Sequence, residues 1–314
     1  MLIFENTLEN PSPLKGGCVL ALGFFDGVHI AHKRLIEKCV DVARESGLMS
    51  AVHTFYALPK GDGALTSFEQ KAQIIEGLGV DILVVDSFSE DVRNMAPQEF
   101  IEKVVVGALK ARAAVAGYDY AFGRGAKGNV EILKEIFGKS GAKVHVIDQV
   151  KIDGVTVSSG EIKRRLKCGD VEGANVLLGR NFEISGRVLK GRQVGSKLSA
   201  PTANLKIGDD SICPAYGVYV CKANIGGESY PAVTNIGVRP TFDLGGAPVC
   251  ETNIFGLNRD IYGEFLSVEL LHMLRTEMRF DSEKELKNAI GSDIIRAQEY
   301  FENKGLQQKI FVVE

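Results

Sequence analysis

Residues Cys18–Cys39 read CVLALGFFDGVHIAHKRLIEKC and decide the fold of the first half of the chain. The pattern is an apolar strand, a Gly/Asp turn and a helix that we expect to begin close to His29. An open α/β sheet binds ligands at such a place, outside the carboxyl ends of its strands. His29 and His32 stand three residues apart in the first helical turn, so they share one face beside the free N–H groups of the helix N-terminus. The stretch predicts a site for an anion such as the triphosphate of ATP, with a surface pair or half of a metal site as the alternatives.

The rest of the first half alternates short apolar runs with helical patterns. This alternation predicts a Rossmann-like parallel sheet covered by helices on both faces. The apolar runs after the opening helix are SAVHTF, DILVVDSF, ARAAVAGYDYAF and AKVHVIDQV. Residues 158–179 predict two short helices that close the domain, which we expect to span residues 1–180.

The pattern of the second half is different, because alternating strands separated by Gly, Pro and Asn turns begin at Phe182. Such a pattern predicts an antiparallel β-barrel or sandwich, which we expect to span residues 181–314. After Asp281 the sequence SEKELKNAIGSDIIRAQEYF has helical spacing with acids at its start. A terminal helix packed on the side of the barrel is therefore expected.

The segment Gly191 to Asn204 reads GRQVGSKLSAPTAN, a basic loop rich in glycine that runs into a strand. Gly191 and Gly195 allow backbone N–H groups to turn toward an anion, and Lys197 adds positive charge. Thr202 and Asn204 carry neutral oxygens on the same side of the strand, where both could meet one Mg²⁺ that bridges phosphates. On the loop alone, an ordinary glycine turn that enters a strand explains the pattern equally well.

The bulk composition fits a two-domain protein that acts on small molecules. The chain has 314 residues, 45% of them hydrophobic, which is enough for two cores. A formal net charge of −3 gives no overall attraction to nucleic acid or to an anionic membrane. The six cysteines form no CxxC motif, which argues against a zinc site and a disulfide framework. No apolar run approaches the roughly 18 residues of a membrane helix, so a cytoplasmic protein is expected; its oligomeric state stays open.

Several separate motifs together resemble one family. The segment 191–204, with Gly217–Tyr219, Asn235–Phe242 and Glu251, resembles riboflavin kinase. The sequence GFFDGVHIAH at residues 23–32 looks like the adenylyltransferase half of the bacterial bifunctional riboflavin kinase/FAD synthetase family. The resemblance implies a nucleotidylyltransferase-like domain followed by a riboflavin kinase-like β-barrel. It also implies ATP-dependent phosphorylation of riboflavin to FMN and adenylylation of FMN to FAD, with Mg²⁺ as cofactor.

The resemblance assigns roles in the second half. Glu251 is expected to take the proton from the ribityl 5′-hydroxyl of riboflavin. Thr202 and Asn204 are expected to hold the metal. Arg275 lies in the segment Leu271–Phe280, which resembles the family's flap near the isoalloxazine ring, although its Leu and Met content alone would indicate core. The residues expected to cover the ATP phosphates are Gly191, Gly195 and Lys197.

In the first half, the resemblance implies that His29 and His32 donate hydrogen bonds to the oxygens of the attacked α-phosphate, where negative charge develops. Asp119 and Arg124 are expected at the FMN or phosphate end. The residues expected to bind ATP and its phosphates are Gly23, Phe24, Asp26, Ser158, Ser159 and Lys163.

The chain departs from the family's pattern at Ala31, Gly160 and Lys163. A riboflavin kinase with a weakened or non-catalytic nucleotide-binding domain is therefore the nearest alternative. A regulatory protein that binds flavin or nucleotide without turnover is a second one. A redox flavoprotein is disfavoured, because nothing in the sequence requires a retained flavin.

Overall fold

The computed structural model describes residues 1–5, 10, 14, 16–56, 62–139, 141–189, 202–238 and 247–304. The chain divides into two compact units, Met1–Ser159 and Gly160–Glu314. The domain limits expected from the sequence, 1–180 and 181–314, stay a prediction. No helix in the described part of the chain is long and apolar enough to cross a membrane.

The first unit is built on a parallel sheet of six strands in the order β1-β4-β3-β2-β5-β6. This confirms the predicted parallel sheet and adds β1, whose four residues are too few to give a periodic signal. The strands are β1 (Leu2–Glu5), β2 (Cys18–Leu22), β3 (Met49–Phe55), β4 (Ile82–Asp86), β5 (Ala111–Gly117) and β6 (Lys143–Ile147).

Helices cover both faces of this sheet, as predicted. Along β2, Leu20 points into one apolar cluster with Phe100 and Phe137, whereas Val19 points into another with Ile36. Both faces are therefore apolar, which is why the strands read as continuous hydrophobic runs. The helices are α1 (Ile30–Ser46), α2 (Phe68–Gly77), α3 (Glu90–Asn94), α4 (Pro97–Phe100), a π-helical segment (Ile101–Ala108) and α5 (Val130–Gly138); a small hairpin follows, formed by β7 (Lys151–Ile152) and β8 (Val155–Thr156).

The second unit contains the predicted antiparallel barrel, with strand order β10-β13-β12-β11-β14-β9. The backbone N–H of Leu189, just after β9, donates to the carbonyl of Asn204 on β10 at 2.9 Å, so the two ends of the strand order meet. The elements are α6 (Ser159–Lys167), which starts at the last residue of the first unit, α7 (Val171–Leu178), β9 (Phe182–Arg187), β10 (Thr202–Lys206), β11 (Gly217–Ile225), β12 (Glu228–Val238), β13 (Pro248–Ile254), β14 (Phe265–Thr276) and α8 (Glu283–Asn303).

Helix α8 is the predicted terminal helix, and it packs on the outside of the barrel. Ala297 and Phe301 of α8 are buried against Val218, Val220 and Val233. The apolar contact fixes which face of β11 and β12 lies beside the helix. Side chains of neighbouring strands that project to the same face are therefore placed next to α8.

Candidate active sites

The first candidate site lies where the strand order of the parallel sheet reverses. From β2 the chain moves outward to β3 and β4, and β5 then returns to the other side of β2. Ligands of open α/β sheets bind in the crevice at such a switch point, outside the carboxyl ends of the strands. Residues 23–29 follow β2 and residues 118–127 follow β5. The topology therefore brings Asp26 and His29 to the same sheet edge as Asp119 and Arg124.

The turn after β2 has an unusual backbone. Phe25 has φ 51° and Val28 has φ 36°, so two residues with side chains adopt the left-handed region, and Gly27 between them has φ 78°. Each non-glycine residue in this region costs roughly 1–2 kcal/mol. Such a conformation persists only where the surrounding structure enforces it.

Hydrogen bonds enforce the turn from several sides. The carboxylate of Asp26 accepts the backbone N–H of Leu65 at 2.7 Å, and its carbonyl accepts the hydroxyl of Ser159 at 2.9 Å. The carbonyl of Phe24 accepts the hydroxyl of Thr54 at 2.8 Å and the ammonium group of Lys71 at 3.0 Å. Asp26 is only 5% exposed, so its carboxylate shapes the turn. A direct contact of this anion with a phosphate would be repulsive.

The two histidines share one face, as the sequence predicts. His29 precedes α1 and caps it, because its Nδ1 accepts the backbone N–H of His32 at 3.3 Å. The two imidazole rings stack with centroids 3.6 Å apart and planes 14° apart. Since Nδ1 of His29 accepts a hydrogen bond, the neutral ring carries its proton on Nε2, which can donate to an anion.

The other predicted residues of the first unit lie at the edge of this site, whereas Lys163 belongs to the second unit. Asp119 and Arg124 are exposed, and the backbone N–H of Arg124 donates to the carbonyl of Met95 at 2.7 Å. Gly23 and Ser158 are half-buried. Lys163 is half-buried on α6, one helical turn after Ser159.

The sequence singled out Phe24, expected to bind ATP, but not the aromatic cluster to which it belongs at this sheet edge. Phe24 follows β2, Phe55 ends β3 and Phe88 follows β4. Their ring centroids lie 5.0–5.5 Å apart. A phenylalanine at the carboxyl end of three neighbouring strands was the signal that could have revealed this cluster, which offers an apolar surface to a ring system.

Three buried polar side chains near this sheet edge could not be recognised from the sequence. His53 and Asp86, both buried, are joined at 2.8 Å near the ends of β3 and β4. Lys71 of α2 is only 5% exposed, and its ammonium group lies beneath the turn after β2. A buried lysine is unusual because burial removes its charge from water.

The second candidate site lies on the outer face of the barrel, on three neighbouring strands. The strand register pairs Glu251 of β13 with Asn235 of β12 on one side and with Asn204 of β10 on the other. In the next row, Asn253 is paired with Thr202. Paired residues of adjacent strands project to the same face, so Glu251 lies between two carboxamides.

This arrangement brings Thr202, Asn204 and Glu251 together. The hydroxyl of Thr202 donates to the Glu251 carboxylate at 3.0 Å. The hydroxyl of Thr234 donates to the Glu251 backbone carbonyl at 3.1 Å and so fixes the strand that carries it. Asn204 is 3% exposed, and its side-chain oxygen has no hydrogen-bond partner among the described residues. A buried polar oxygen is costly unless a donor or a cation meets it, so this oxygen fits a hard metal ion.

Glu251 opens onto a cavity of about 340 Å³ between the barrel and α8. Its wall is apolar on the side of the helix and polar on the side of β13, which suits a flat ring that carries a polar chain. The apolar lining residues include Val218, Val233, Phe280, Leu286, Ile290 and Ile294, and the polar ones include Asn235, Glu251, Asn253, Arg275 and Glu277.

Arg275 lines this cavity, but its guanidinium group is bound to the protein. Its Nε donates to Asp293 Oδ1 at 3.0 Å and its Nη2 donates to Asp293 Oδ2 at 2.7 Å. Asp293 belongs to α8 and is 5% exposed. The pair ties β14 to α8 and so holds one wall of the cavity in place.

A second cavity of about 420 Å³ lies beside the first and shares Thr202 with it. This cavity could not be predicted from the sequence, because residues 257–262 carry no recognisable motif. It is lined mainly by the loop after β13, namely by Leu257, Asn258, Arg259, Asp260, Ile261 and Tyr262, together with Val188, Thr202, Ala203 and Ile254. Gly191, Gly195 and Lys197, expected at the ATP phosphates, lie outside the described residues.

Comparison with known proteins divides the chain in a similar way. The sequence model of the FAD synthetase family matches residues 12–161, and that of the riboflavin kinase family matches residues 178–301. The bifunctional riboflavin kinase/FMN adenylyltransferase of Bacillus subtilis (strain 168) is 36% identical over 91% of this chain and 93% of its own length. The protein of the same description from Pseudomonas fluorescens is 33% identical over 93% of this chain and 95% of its own length.

A solved structure resembles the whole chain. The crystal structure described as a macrolide-efflux protein from Streptococcus pneumoniae superimposes with a TM-score of 0.82 at 29% sequence identity. The match covers 95% of this chain and 99% of that chain. Both units therefore have a known counterpart in a single chain.

Proposed function

The chain belongs to the bifunctional riboflavin kinase/FMN adenylyltransferase family, and we propose that each of its two compact units carries one of the two reactions. It is a transferase with both activities. In the first reaction ATP phosphorylates riboflavin, which gives FMN and ADP. In the second, a second ATP donates AMP to FMN, which gives FAD and pyrophosphate. We assign the kinase to the barrel and the adenylyltransferase to the parallel sheet.

The observation that carries the kinase assignment is the position of Glu251. It lies between Asn204 and Asn235, accepts the hydroxyl of Thr202 and faces the cavity beside α8. The riboflavin ring fits the apolar part of this cavity, and the ribityl chain then extends along the polar strands. The 5′-hydroxyl oxygen of riboflavin forms a bond to the γ-phosphorus of ATP while the bond between this phosphorus and ADP breaks. Glu251 takes the proton that the hydroxyl loses.

The residues around Glu251 also fit Mg²⁺. Thr202 and Asn204 offer neutral oxygens, and the Asn204 oxygen is buried without a partner in the described part of the chain. When bound, Mg²⁺ neutralises charge on the triphosphate. We place the nucleotide in the second cavity, since Val188, Thr202 and Ala203 line it. Positioning of two substrates accounts for most of the acceleration in such a reaction.

For the first unit, we assign the α-phosphate of ATP to the turn after β2 and the N-terminus of α1. His29 Nε2 and the backbone N–H groups there can donate to the negative charge that grows on the attacked phosphate. The FMN phosphate is the nucleophile, and pyrophosphate leaves. Arg124 supplies positive charge, and the aromatic cluster after β2, β3 and β4 offers a surface for the isoalloxazine ring. We also propose that the enzyme works in the cytoplasm on small-molecule substrates.

One incubation tests both assignments. Wild-type protein with riboflavin and Mg-ATP is expected to form FMN and then FAD, separated by chromatography. Glu251→Gln keeps the shape of the side chain but removes the base, so FMN formation is expected to fall by about 10²-fold or more. FAD formation from supplied FMN is expected to stay near the wild-type rate. A protein that forms FMN but no FAD and no pyrophosphate would instead be a kinase with a non-catalytic first unit.

A further inference from the structure

Lys71 is a buried charged residue that the two proposed reactions do not use. It lies on α2, is 5% exposed, and its ammonium group has three neighbours that accept hydrogen bonds. The carbonyl of Phe24 lies at 3.0 Å, the carbonyl of Phe55 at 3.3 Å and the hydroxyl oxygen of Thr54 at 3.4 Å. A side chain that is inaccessible to substrate can act on chemistry only through the groups it holds.

The group that Lys71 holds is the peptide between Phe24 and Phe25. The C=O and N–H of a trans peptide point in opposite directions. Since Lys71 and Thr54 both draw the Phe24 carbonyl toward α2 and β3, the N–H of Phe25 is directed away from them. Phe25 is one of the residues in the left-handed region, and loss of the two donors would release this conformation.

We propose that Lys71 is a positioning residue for adenylyl transfer, because its ammonium group fixes the peptide that presents the Phe25 N–H at the nucleotide-phosphate edge of the sheet. The proposal rests on the function assigned above to the first unit. Backbone N–H groups in turns with left-handed residues form concave sites for anions. A donor fixed before the substrate arrives needs no reorganisation during the reaction.

The charge of Lys71 changes within a pH range in which the activity can be measured. Burial lowers the pKa of its ammonium group from 10.5 to about 8, and the nearby charge of Asp26 opposes this shift. The groups of β3 that Lys71 contacts are the Thr54 hydroxyl and the Phe55 carbonyl, and neither titrates in this range. The neighbouring His53 is engaged with Asp86. Above about pH 8 the amine loses its charge and one of three donors, so its hold on Phe24 weakens.

The effect of Lys71 on folding stability has the opposite pH dependence from its expected effect on activity, so the two can be told apart. The pKa of Lys71 is lower in the folded protein than its ordinary value of 10.5, so the unfolded chain binds more protons between about pH 8 and 10.5. The contribution of Lys71 to stability therefore rises across this window. A loss of activity in the same window cannot come from unfolding caused by this residue.

The test compares Lys71→Met, which has similar length but no donor, with Lys71→Arg, which keeps its charge. The turnover of FMN to FAD in Lys71→Met is expected to fall about 10- to 100-fold, as for loss of a fixed donor. In the wild type, this turnover should fall along an alkaline limb with a midpoint near pH 8. The limb should be absent in Lys71→Met and shifted upward by about one unit or more in Lys71→Arg. Riboflavin phosphorylation by the same preparations should be unchanged, and an unchanged far-UV circular dichroism spectrum and melting curve serve as the control that the first unit, which carries Lys71, is folded.

Lys103→Met is the matched control, since Lys103 is 62% exposed and pairs only with Glu99 among the described residues. A Lys71→Met protein with the wild-type turnover, or with a slower turnover that retains the alkaline limb, overturns the proposal. If wild-type protein makes no FAD, the assigned function fails first. Titration with a non-hydrolysable ATP analogue then decides for Lys71. The proposal is supported if the wild type binds two molecules of the analogue per chain and Lys71→Met binds one. Equal numbers of bound molecules in the two proteins overturn it.

Discussion

At the scale of single residues, Asn204 shows how a fold keeps a polar oxygen ready for a ligand. Its side chain is 3% exposed, and its nitrogen contacts only the carbonyl of Thr202, at a long 3.5 Å, within the described part of the chain. The strand pairing fixes this carboxamide next to Glu251 whether or not a ligand is bound. The desolvation cost of the oxygen is therefore offset only when a donor or a cation meets it.

The first prediction follows from this oxygen. In Asn204→Ala, the Mg²⁺ concentration for half-maximal kinase activity should rise about tenfold or more, since one ligand worth roughly 1.4 kcal/mol or more is lost. A magnesium titration of FMN formation at saturating riboflavin measures it. Asn303→Ala, at the exposed end of α8, is the control and should leave the titration unchanged. An Asn204→Ala enzyme with wild-type magnesium dependence would show that the metal lies elsewhere.

At the scale of elements, the barrel and α8 share one charged contact that matters for the cavity. Two nitrogens of Arg275 make three hydrogen bonds to the carboxylate of Asp293, and the two side chains are 19% and 7% exposed. A pair with this geometry and burial is far less screened than the exposed pairs of the chain. Removal of one partner leaves the other charge without its counter-ion.

The second prediction concerns this pair. Asp293→Ala is expected to destabilise the second unit by about 3 kcal/mol, because the partly buried guanidinium group loses its carboxylate. The KM for riboflavin should also rise, since the wall between β14 and α8 loosens. Kinase activity retained after equilibration in urea measures the stability. Asp209→Asn, which breaks an exposed contact of 3.9 Å with Lys206, should change it by less than about 0.5 kcal/mol.

The double variant Arg275→Leu/Asp293→Leu tests the cause. If the loss comes from an uncompensated buried charge, the double variant should recover much of the stability, because two apolar side chains leave no charge unpaired. Its KM should stay high, since the positions of β14 and α8 are then fixed by packing alone. A double variant less stable than Asp293→Ala would contradict this account of the pair.

The elements also show what could be predicted from the sequence. Strands β2 to β6 and helices α1, α2, α6, α7 and α8 were predicted correctly, because each has a run long enough for its periodicity to be read. Strand β1 and helices α3 and α4 were not, because an element of four or five residues is too short for a period to be read. Local sequence does not encode which strand lies beside which.

In the candidate sites, too, features set by local sequence could be predicted, whereas contacts between distant residues could not. The side-by-side position of Thr202 and Asn204 follows from the two-residue period of a strand, so it could be predicted. The approach of Glu251 to both depends on the register of β10 against β13, which the sequence shows only through resemblance to a family. Lys71 carries no motif at all, and its contact with Phe24 joins residues 47 positions apart. Only the folded chain reveals such a group.

At the scale of the whole molecule, each unit has its own core and its own candidate site, so the two reactions are expected to be separable. The third prediction uses two variants, each inactive in one reaction. Glu251→Gln should convert FMN to FAD but not riboflavin to FMN. His29→Ala/His32→Ala should phosphorylate riboflavin but not adenylylate FMN, because the ring N–H of His29 at the N-terminus of α1 is lost.

If FMN made at the barrel is released before it is adenylylated, a mixture of the two variants should make FAD from riboflavin and Mg-ATP. The time course should show a lag, because free FMN must first accumulate to the KM of the second reaction. The lag should shorten when more of the Glu251→Gln protein is added, and added FMN should abolish it. Chromatography of flavins at timed intervals measures this. A mixture that makes FMN but never FAD, although each variant performs its single reaction alone, would mean that FMN passes within one chain and that the units are coupled.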